Sequence, residues 1–426
     1  MPVINEPLAI REHEELKGLN QDELRDLKDF ALENRTDGEG NYRPVLELKN
    51  NRLYAQNYVG IIETRKGTVL EILPKVDFAE GEDTEKTKQV FFKILRDWRG
   101  FKSLAQFNQS HIDAVRRFNM LEVFVHLFLN NLVLLTQRGL ARHYQSEEDN
   151  QPYLRGRILF PQHIRENVAN RARFYVGYDE FSANRPANRL IHSTIRKLMG
   201  SVRQPRNQQL LHQLRISFSD IPQSSHLKSD WDRHQVDSSD RSMHHYDEVM
   251  QWVGLFLFGQ GLTTFAGRYV NQTLLFPMWE VFEDFVAASF RRYQEDFFLY
   301  KQRPQKPLAC IGGKGVFYMK PDISLTKQDK QDDVKFILDT KWKRINGEGS
   351  DPKHGISQAD MYQLFAYGKK YGCKQVALVY PKTEQFQEML RYKFDAKLSV
   401  YCVPFDVTEP KCSVKKILKD LNNKQK

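Results

Sequence analysis

Residues 321–343 read PDISLTKQDKQDDVKFILDTKWK, and this stretch decides the fold. Ile323, Ser324 and Leu325 form a short strand-like run behind Pro321-Asp322. A polar turn follows, and then Phe336-Ile337-Leu338, a continuous apolar run of the kind found in strands buried on both faces. Asp322 and Asp339 are 17 positions apart, enough for one strand, a turn and a second strand. Two antiparallel neighbours can therefore hold both carboxylates at one edge of a sheet. A carboxylate at the end of a buried strand is costly unless it is paired or metal-bound. Lys341, two residues beyond Asp339, shares its face because strand side chains alternate. Two hard oxygen donors suit Mg²⁺, leaving other positions to water and a phosphate oxygen. The lysine can orient or deprotonate a water, or steady a pentavalent phosphate.

Working outward, QLFAY (363–367) puts Gln363 and Tyr367 one turn apart on a helix expected from about Ser357 to Tyr371, and QVALVY (375–380) reads as the next strand. Tyr401 to Phe405 is a further strand candidate. Upstream, MWEVFEDFVAASFRRY (278–293) has the apolar face of a helix and offers Glu283 as a further metal ligand, although Glu280 and Asp284 beside it fit a solvated acidic face equally well. The Asp-x-Lys tripeptide alone carries little, since it recurs at Asp26-Leu-Lys28, Asp333-Val-Lys335 and Asp351-Pro-Lys353, and a strand-end ion pair is its plain alternative. Gly312-Gly313-Lys314-Gly315 lacks P-loop spacing and reads as a hairpin turn. His244-His245 reads as a surface pair.

The expected fold class is multidomain α+β: a β-rich N-terminal domain (1–100), a helical, Arg-rich middle domain (101–265) and a C-terminal mixed α/β domain (266–426). YRPVLEL, RLYAQNYVGIIET and GTVLEILPKV supply the first domain's strands, entered through a charged helix over Asn20 to Asn34, with a tip or loop at Asp37–Asn41. Three- and four-residue apolar spacing at Ile112, Val115, Phe118, Leu121 and Val125, and again at Leu190, Ile191, Ile195 and Leu198, marks the second. The polar run Ser217 to Tyr246 is expected to be an exposed connection, and the lysine-rich C-terminus a solvated tail.

Across the 426 residues, 64 Lys+Arg exceed 54 Asp+Glu, and the excess is local. Between Gln151 and Ser217, eleven arginines and Lys197 face only Glu166, Asp179 and Glu180. Arginine's planar fork matches phosphate, so Arg155, Arg157, Arg165, Arg171 and Arg173 are candidate DNA contacts; scattered arginines paired with the chain's own carboxylates are the alternative. Aromatics at 12% with modest Gly and Pro exclude disorder and collagen-like repeats. Four dispersed cysteines suggest neither zinc nor disulfides and point to a reducing cytoplasm. The N-terminus lacks a signal-peptide pattern, and Met120 to Leu135, interrupted by Glu122, His126, Asn130 and Asn131, reads as a buried helix rather than a membrane span.

At PDISL, ILDTKWK and DMYQLFAY the chain resembles the PD-(D/E)xK nuclease superfamily. NYVGIIETRKGTVLEILPKV (57–76), YLRGRILFPQHIREN (153–167), FSANRPANRLIHSTIRKL (181–198) and WEVFEDFV (279–286) extend the likeness, more narrowly, to the McrC family, the endonuclease subunits of McrBC modification-dependent restriction systems. The resemblance covers roughly residues 50 to 380. It implies a DNA endonuclease using Mg²⁺, with Mn²⁺ able to substitute. Asp322 and Asp339 would be metal ligands, Lys341 the catalytic lysine, and Gln363 and Tyr367 supports of the site and the DNA strand. It also implies a McrB-like AAA+ GTPase oligomer as partner, engaged and stimulated through the N-terminal domain, and modified double-stranded DNA as substrate, with the modification read by the partner. Asn184-Arg185 departs from the acidic residue expected before Pro186. Two other readings stay open: a standalone nuclease of the same core in DNA repair, and a DNA-binding, NTPase-stimulating adaptor with an inactive core.

Overall fold

The computed structural model describes residues 7–36, 42–76, 84–100, 119–238, 241–258, 270–327, 333–347 and 351–423. The chain forms two compact units, Met1–Met120 with Gly261–Lys426, and Leu121–Gln260. The loop expected at Asp37–Asn41 and the periodic positions Ile112, Val115 and Phe118 lie outside the described residues.

In the first unit a four-stranded sheet runs in the order Leu8–Arg11, Val69–Leu73, Tyr58–Thr64, Val270–Pro277. Leu8–Arg11 lies parallel to its neighbour and the other pairs are antiparallel. The Tyr58–Thr64 strand is central and buried along its whole length. The helix Gln21–Glu33 starts at Asn20, whose side chain accepts the Glu23 N–H while Glu23 reaches back to the Asn20 N–H, a reciprocal cap. Leu27, Phe30 and Ala31 of that helix pack on Tyr58, Ile62, Leu70 and Ile72. Val270–Pro277, which the three-part division places in the C-terminal domain, thus completes the N-terminal sheet. Nothing in a single strand's sequence announces a partner more than 200 residues away.

The second sheet of this unit has six strands, in the order Phe298–Lys301, Ile323–Thr326, Val334–Thr340, Gln375–Pro381, Ser399–Phe405, Leu390–Lys393. Val334–Thr340, Gln375–Pro381 and Ser399–Phe405 run parallel, and all but two of their residues are buried, as both-face coverage requires. The helix Gln358–Tyr371, closed by Gly372 in the left-handed region, packs Leu364, Tyr367 and Tyr371 on the face bearing Ile337, Val376, Leu378 and Val400. Phe282 and Phe285 of the helix Met278–Tyr293 pack on Phe405, and Phe297 meets Phe336, on the other face. Lys306–Ile311 and Lys314–Met319 form the expected hairpin, with Gly312 and Gly313 at positive φ. The C-terminus is not a solvated tail: Pro410–Asn423 is a helix with Val414, Ile417, Leu418 and Leu421 buried, and that three-and-four spacing outweighs its lysines.

The second unit has helices Pro186–Ser201, Pro205–Ser217, Leu227–Asp237 and Asp247–Phe258, together with most of Met120–Arg138. Met120–Arg138 is long and apolar enough to cross a membrane by length and composition, yet its most apolar stretch is 61% buried within the protein. The middle of the chain is not purely helical. His143–Gln151, Phe174–Ser182 and Arg157–Ile158 form a three-stranded antiparallel sheet flanked by the helix Phe160–Asn167. HYQSEEDNQ carries almost no strand-forming side chains, so the strand is held by its nine-residue pairing rather than by propensity. Ser217 to Tyr246 is likewise no mere connection. It includes Leu227–Asp237 and a 3-10 turn over Arg241–Tyr246, anchored by Tyr246, whose buried hydroxyl donates to Asn188 Oδ1 (2.7 Å).

Candidate functional site

The antiparallel register Ile323↔Leu338 brings Asp322 opposite Asp339, one step further on. Asp322 Oδ2 accepts from the Thr340 N–H (2.7 Å) and hydroxyl (2.8 Å), which fixes its carboxylate at the sheet end. Asp339 is fully buried; Lys341 Nζ lies 2.5 Å from its Oδ2, and Oδ1 has no hydrogen-bond donor. Lys341 also donates to Gln363 Oε1 (3.2 Å), Gln363 Nε2 donates to Tyr367 Oη (2.9 Å), and Tyr367 Oη donates to the Lys320 carbonyl (3.1 Å). The period of two on the strand and of four on the helix thus bring Asp339, Lys341, Gln363 and Tyr367 into one chain of contacts, with Asp322 beside it.

Glu283 lines the same cavity and is already engaged, by Lys301 Nζ at 3.2 Å and Gln302 Nε2 at 3.0 Å. Its neighbour Asp284 points into the fold, taking the Arg99 N–H and Lys301. Sequence reading missed Asp360. It is buried at the start of the Gln358–Tyr371 helix, 3.0 Å from Lys343 Nζ and 3.8 Å from Lys341 Nζ. Its signal was the helical spacing 360, 363, 367. Trp342 was missed as well. Its Nε1–H donates to the buried Glu12 carboxylate (2.9 Å), which also accepts the Lys75 N–H, and its ring packs on Phe282 at 5.2 Å. Burial pushes the Glu12 carboxyl up to about 7.

Electrostatically this is a site crowded with negative charge. Burial, and then the Asp322 carboxylate, push Asp339 up to about 7, and the same two causes push Glu283 to about 7. Burial raises Asp322 despite the Thr340 hydrogen bonds. Burial alone would lower Lys341, but Asp339, Asp360 and Asp322 outweigh it and raise its pKa, so the side chain is a firm ammonium. Among the described residues no three His, Cys, Asp or Glu side chains converge as a ready-made metal cage. Two carboxylates, one with an orphaned buried oxygen, are nonetheless a donor set whose chemistry suits Mg²⁺, with water completing the coordination.

A stability test follows from the raised carboxyls. From ordinary values of 3.8 and 4.5, Asp339 and Glu283 rise to about 7 on folding. Between those limits the folded chain binds more protons than the unfolded one, so these groups make stability fall as pH rises through that window. In EDTA, the melting temperature should fall more steeply from pH 4 to pH 7 for the wild type than for Asp339→Asn. At pH 8, millimolar Mg²⁺ should raise it for the wild type alone. Equal slopes and no Mg²⁺ response would remove the cation from this cleft.

The cavity in front of these groups measures about 580 Å³. Asp322, Lys341, Lys343 and Asp360 line it together with Tyr42, Arg43, Glu47, Asn57 and Tyr58 from the N-terminal part of the chain, and with Trp279 and Glu283 from the helix Met278–Tyr293.

In the second unit, Arg155, Arg157, Arg165, Arg171 and Arg173 are all exposed, and all belong to the three-stranded sheet, its connections and its helix. Arg155 lies over the Tyr178 ring at 4.2 Å, Arg165 pairs with Glu166 at 3.0 Å, and Arg173 donates to the Asn150 carbonyl. Arg185 and Arg189 are spent on Asp237 and Asp230, so part of the arginine excess is internal pairing.

Fold and site together define a two-unit α/β protein with an acidic, lysine-bearing cleft at the ends of buried strands. The family model described as McrBC 5-methylcytosine restriction system component matches residues 53–381, and the chain belongs to that family. A curated relative, the Type IV methyl-directed restriction enzyme EcoKMcrBC of Escherichia coli K12, is 25% identical over 108 residues; the match spans 25% of this chain and only 30% of the relative's length. Among solved structures, a half-complex from the tetradecameric assembly of Thermococcus gammatolerans McrB AAA+ hexamers with bound McrC contains a chain of the same fold. That chain has a TM-score of 0.69 and 19% identity, with 97% of this chain and all of that one covered. A chain of the cryo-EM Thermococcus gammatolerans McrBC complex matches at TM-score 0.51 and 20% identity, covering 68% of this chain and 88% of that one.

Proposed function

We propose that this chain is the Mg²⁺-dependent DNA endonuclease subunit of a McrBC-like restriction system, with a PD-(D/E)xK core. On this reading it cuts phosphodiesters when coupled to a McrB-like AAA+ GTPase, which it stimulates, and Mn²⁺ substitutes for Mg²⁺. The observation that carries the reading is the buried Asp339 with its orphaned oxygen, set between Asp322 and a lysine held by Gln363 and Tyr367. A divalent cation on Asp322 and Asp339 supplies positive charge to the phosphoryl oxygens when bound. Lys341, held as an ammonium, neutralises charge that builds on the phosphate. Gln363, itself braced by Tyr367, holds the Lys341 ammonium in place, and Asp360 pairs with Lys343. Membership of the family and the fold shared with a McrB-bound chain support the partner.

The test is cleavage of methylated and unmethylated plasmid with Mg²⁺, with and without the AAA+ partner and GTP. Cutting that needs partner, GTP and methylation together is expected. Cutting by the chain alone, indifferent to all three, would point to a standalone nuclease instead.

The arginines of the second unit are proposed as contacts to double-stranded DNA. Gly156, between Arg155 and Arg157, has φ +70, and a Cβ there would meet the Gly177 carbonyl oxygen at 2.3 Å, so this pair is pinned against the Phe174–Ser182 strand. Replacing Arg155 and Arg157 by alanine should weaken DNA binding uniformly across sequences and lower the salt slope by roughly one for each phosphate no longer neutralised. An unchanged slope in an anisotropy titration removes them from the DNA surface.

A further inference from the structure

We propose that Arg43, seated on Trp279, is a second phosphate-binding group of the cleft, holding the DNA strand beside the phosphate that faces Lys341. The N-terminal part of the chain would then touch substrate as well as any partner. The proposal deepens the nuclease reading and rests on it for the identity of the strand.

The geometry is specific. The Arg43 guanidinium carbon lies 4.6 Å from the Trp279 ring centroid, and Trp279 is braced edge-on by Tyr58 at 5.1 Å. Tyr58 is fully buried, so the platform does not shift. An arginine lying flat on an aromatic ring directs its donors outward along its edge and loses little freedom on binding. Arg43, Tyr58 and Trp279 line the same cavity as Asp322 and Lys341. Glu47 lines the cavity as well and Glu280 lies in the field of Arg43, so what sets this guanidinium apart is its aromatic seat rather than an absence of carboxylates around it. The two lysines of the cavity are bound to carboxylates as well, Lys341 to Asp339 and Lys343 to Asp360. A strand laid along the cavity carries several phosphates, of which the carboxylate–lysine cluster takes one. The neighbouring charge is met by Arg43, which lines the same cavity.

The experiment compares full-length Arg43→Ala and Arg43→Lys, each in an Asp339→Asn background so that no strand is cut. Binding of a short fluorescent duplex is followed by anisotropy over a salt series. Arg43→Ala should weaken binding roughly tenfold and lower the salt slope by about one, whereas Arg43→Lys keeps the slope and recovers part of the affinity. Should Arg43→Ala unfold, Arg43→Gln, which keeps its stem on Trp279, is read by the same criteria. Affinity and slope unchanged in a folded Ala or Gln variant overturn the proposal, as does a chain that binds no duplex at all. A wild type that never cuts plasmid but shows the Arg43-dependent slope would sink the nuclease reading and leave this contact standing.

Discussion

Asp339→Asn should abolish DNA cleavage, lowering the rate by at least ~10³-fold, while leaving the melting temperature at pH 8 in EDTA equal to or above that of the wild type. The two halves of this expectation share one cause. Asp339 is fully buried, one of its oxygens has no donor, and burial with the neighbouring Asp322 raises its pKa to about 7. Removing such a charge relieves the folded state and strips the site of an oxygen donor that the proposed Mg²⁺ needs. A residue kept only as an ion-pair partner for Lys341 behaves otherwise: its loss costs stability and spares the chemistry. Stimulation of the partner's GTPase should survive the substitution. Loss of cleavage and stimulation together, with a lowered melting temperature, would make Asp339 a structural residue.

Gly60→Ala should be among the most damaging single changes available, destabilising the first unit by about 3–5 kcal/mol. Gly60 sits in the middle of the buried Tyr58–Thr64 strand at φ +141, where side-chain-bearing residues are strained. A Cβ there would meet the Leu274 carbonyl oxygen at 1.9 Å and the Leu274 carbonyl carbon at 2.9 Å. Both are backbone atoms of the paired strand, so no rotamer change relieves the clash. Circular dichroism melts should show a large drop in midpoint, or the variant should appear only in the insoluble fraction. A midpoint within about two degrees of wild type would mean that the two strands separate freely there.

The catalytic candidates were legible because each obeys a local period. Asp339 ends an apolar run, Lys341 shares its face by the strand repeat, and Gln363 and Tyr367 share theirs by the helix repeat. Asp360 was not, because an acidic residue in a helix's first turn is ordinary there and looks like dipole complementation. The aromatic seat of Arg43 was illegible for a different reason. Arg43 and Trp279 meet only because Tyr58–Thr64 pairs with Val270–Pro277, and no window of sequence contains both strands. The polar strand His143–Gln151 escaped notice since its pairing, not its composition, makes it a strand. The C-terminal helix is written in the three-and-four spacing of Val414, Ile417, Leu418 and Leu421, which the lysines between them mask in composition.

The pairing of Tyr58–Thr64 with Val270–Pro277 also governs the order in which the protein can be assembled. During synthesis the central strand of the first sheet waits with one edge bare while more than 200 further residues emerge, including the whole of the second unit. Closing so distant a pair is slow, and a bare buried-type edge invites pairing with other chains in the interval. A fragment ending near residue 100 therefore carries an unfinished sheet, and any study of the N-terminal part calls for a chain that reaches beyond Pro277.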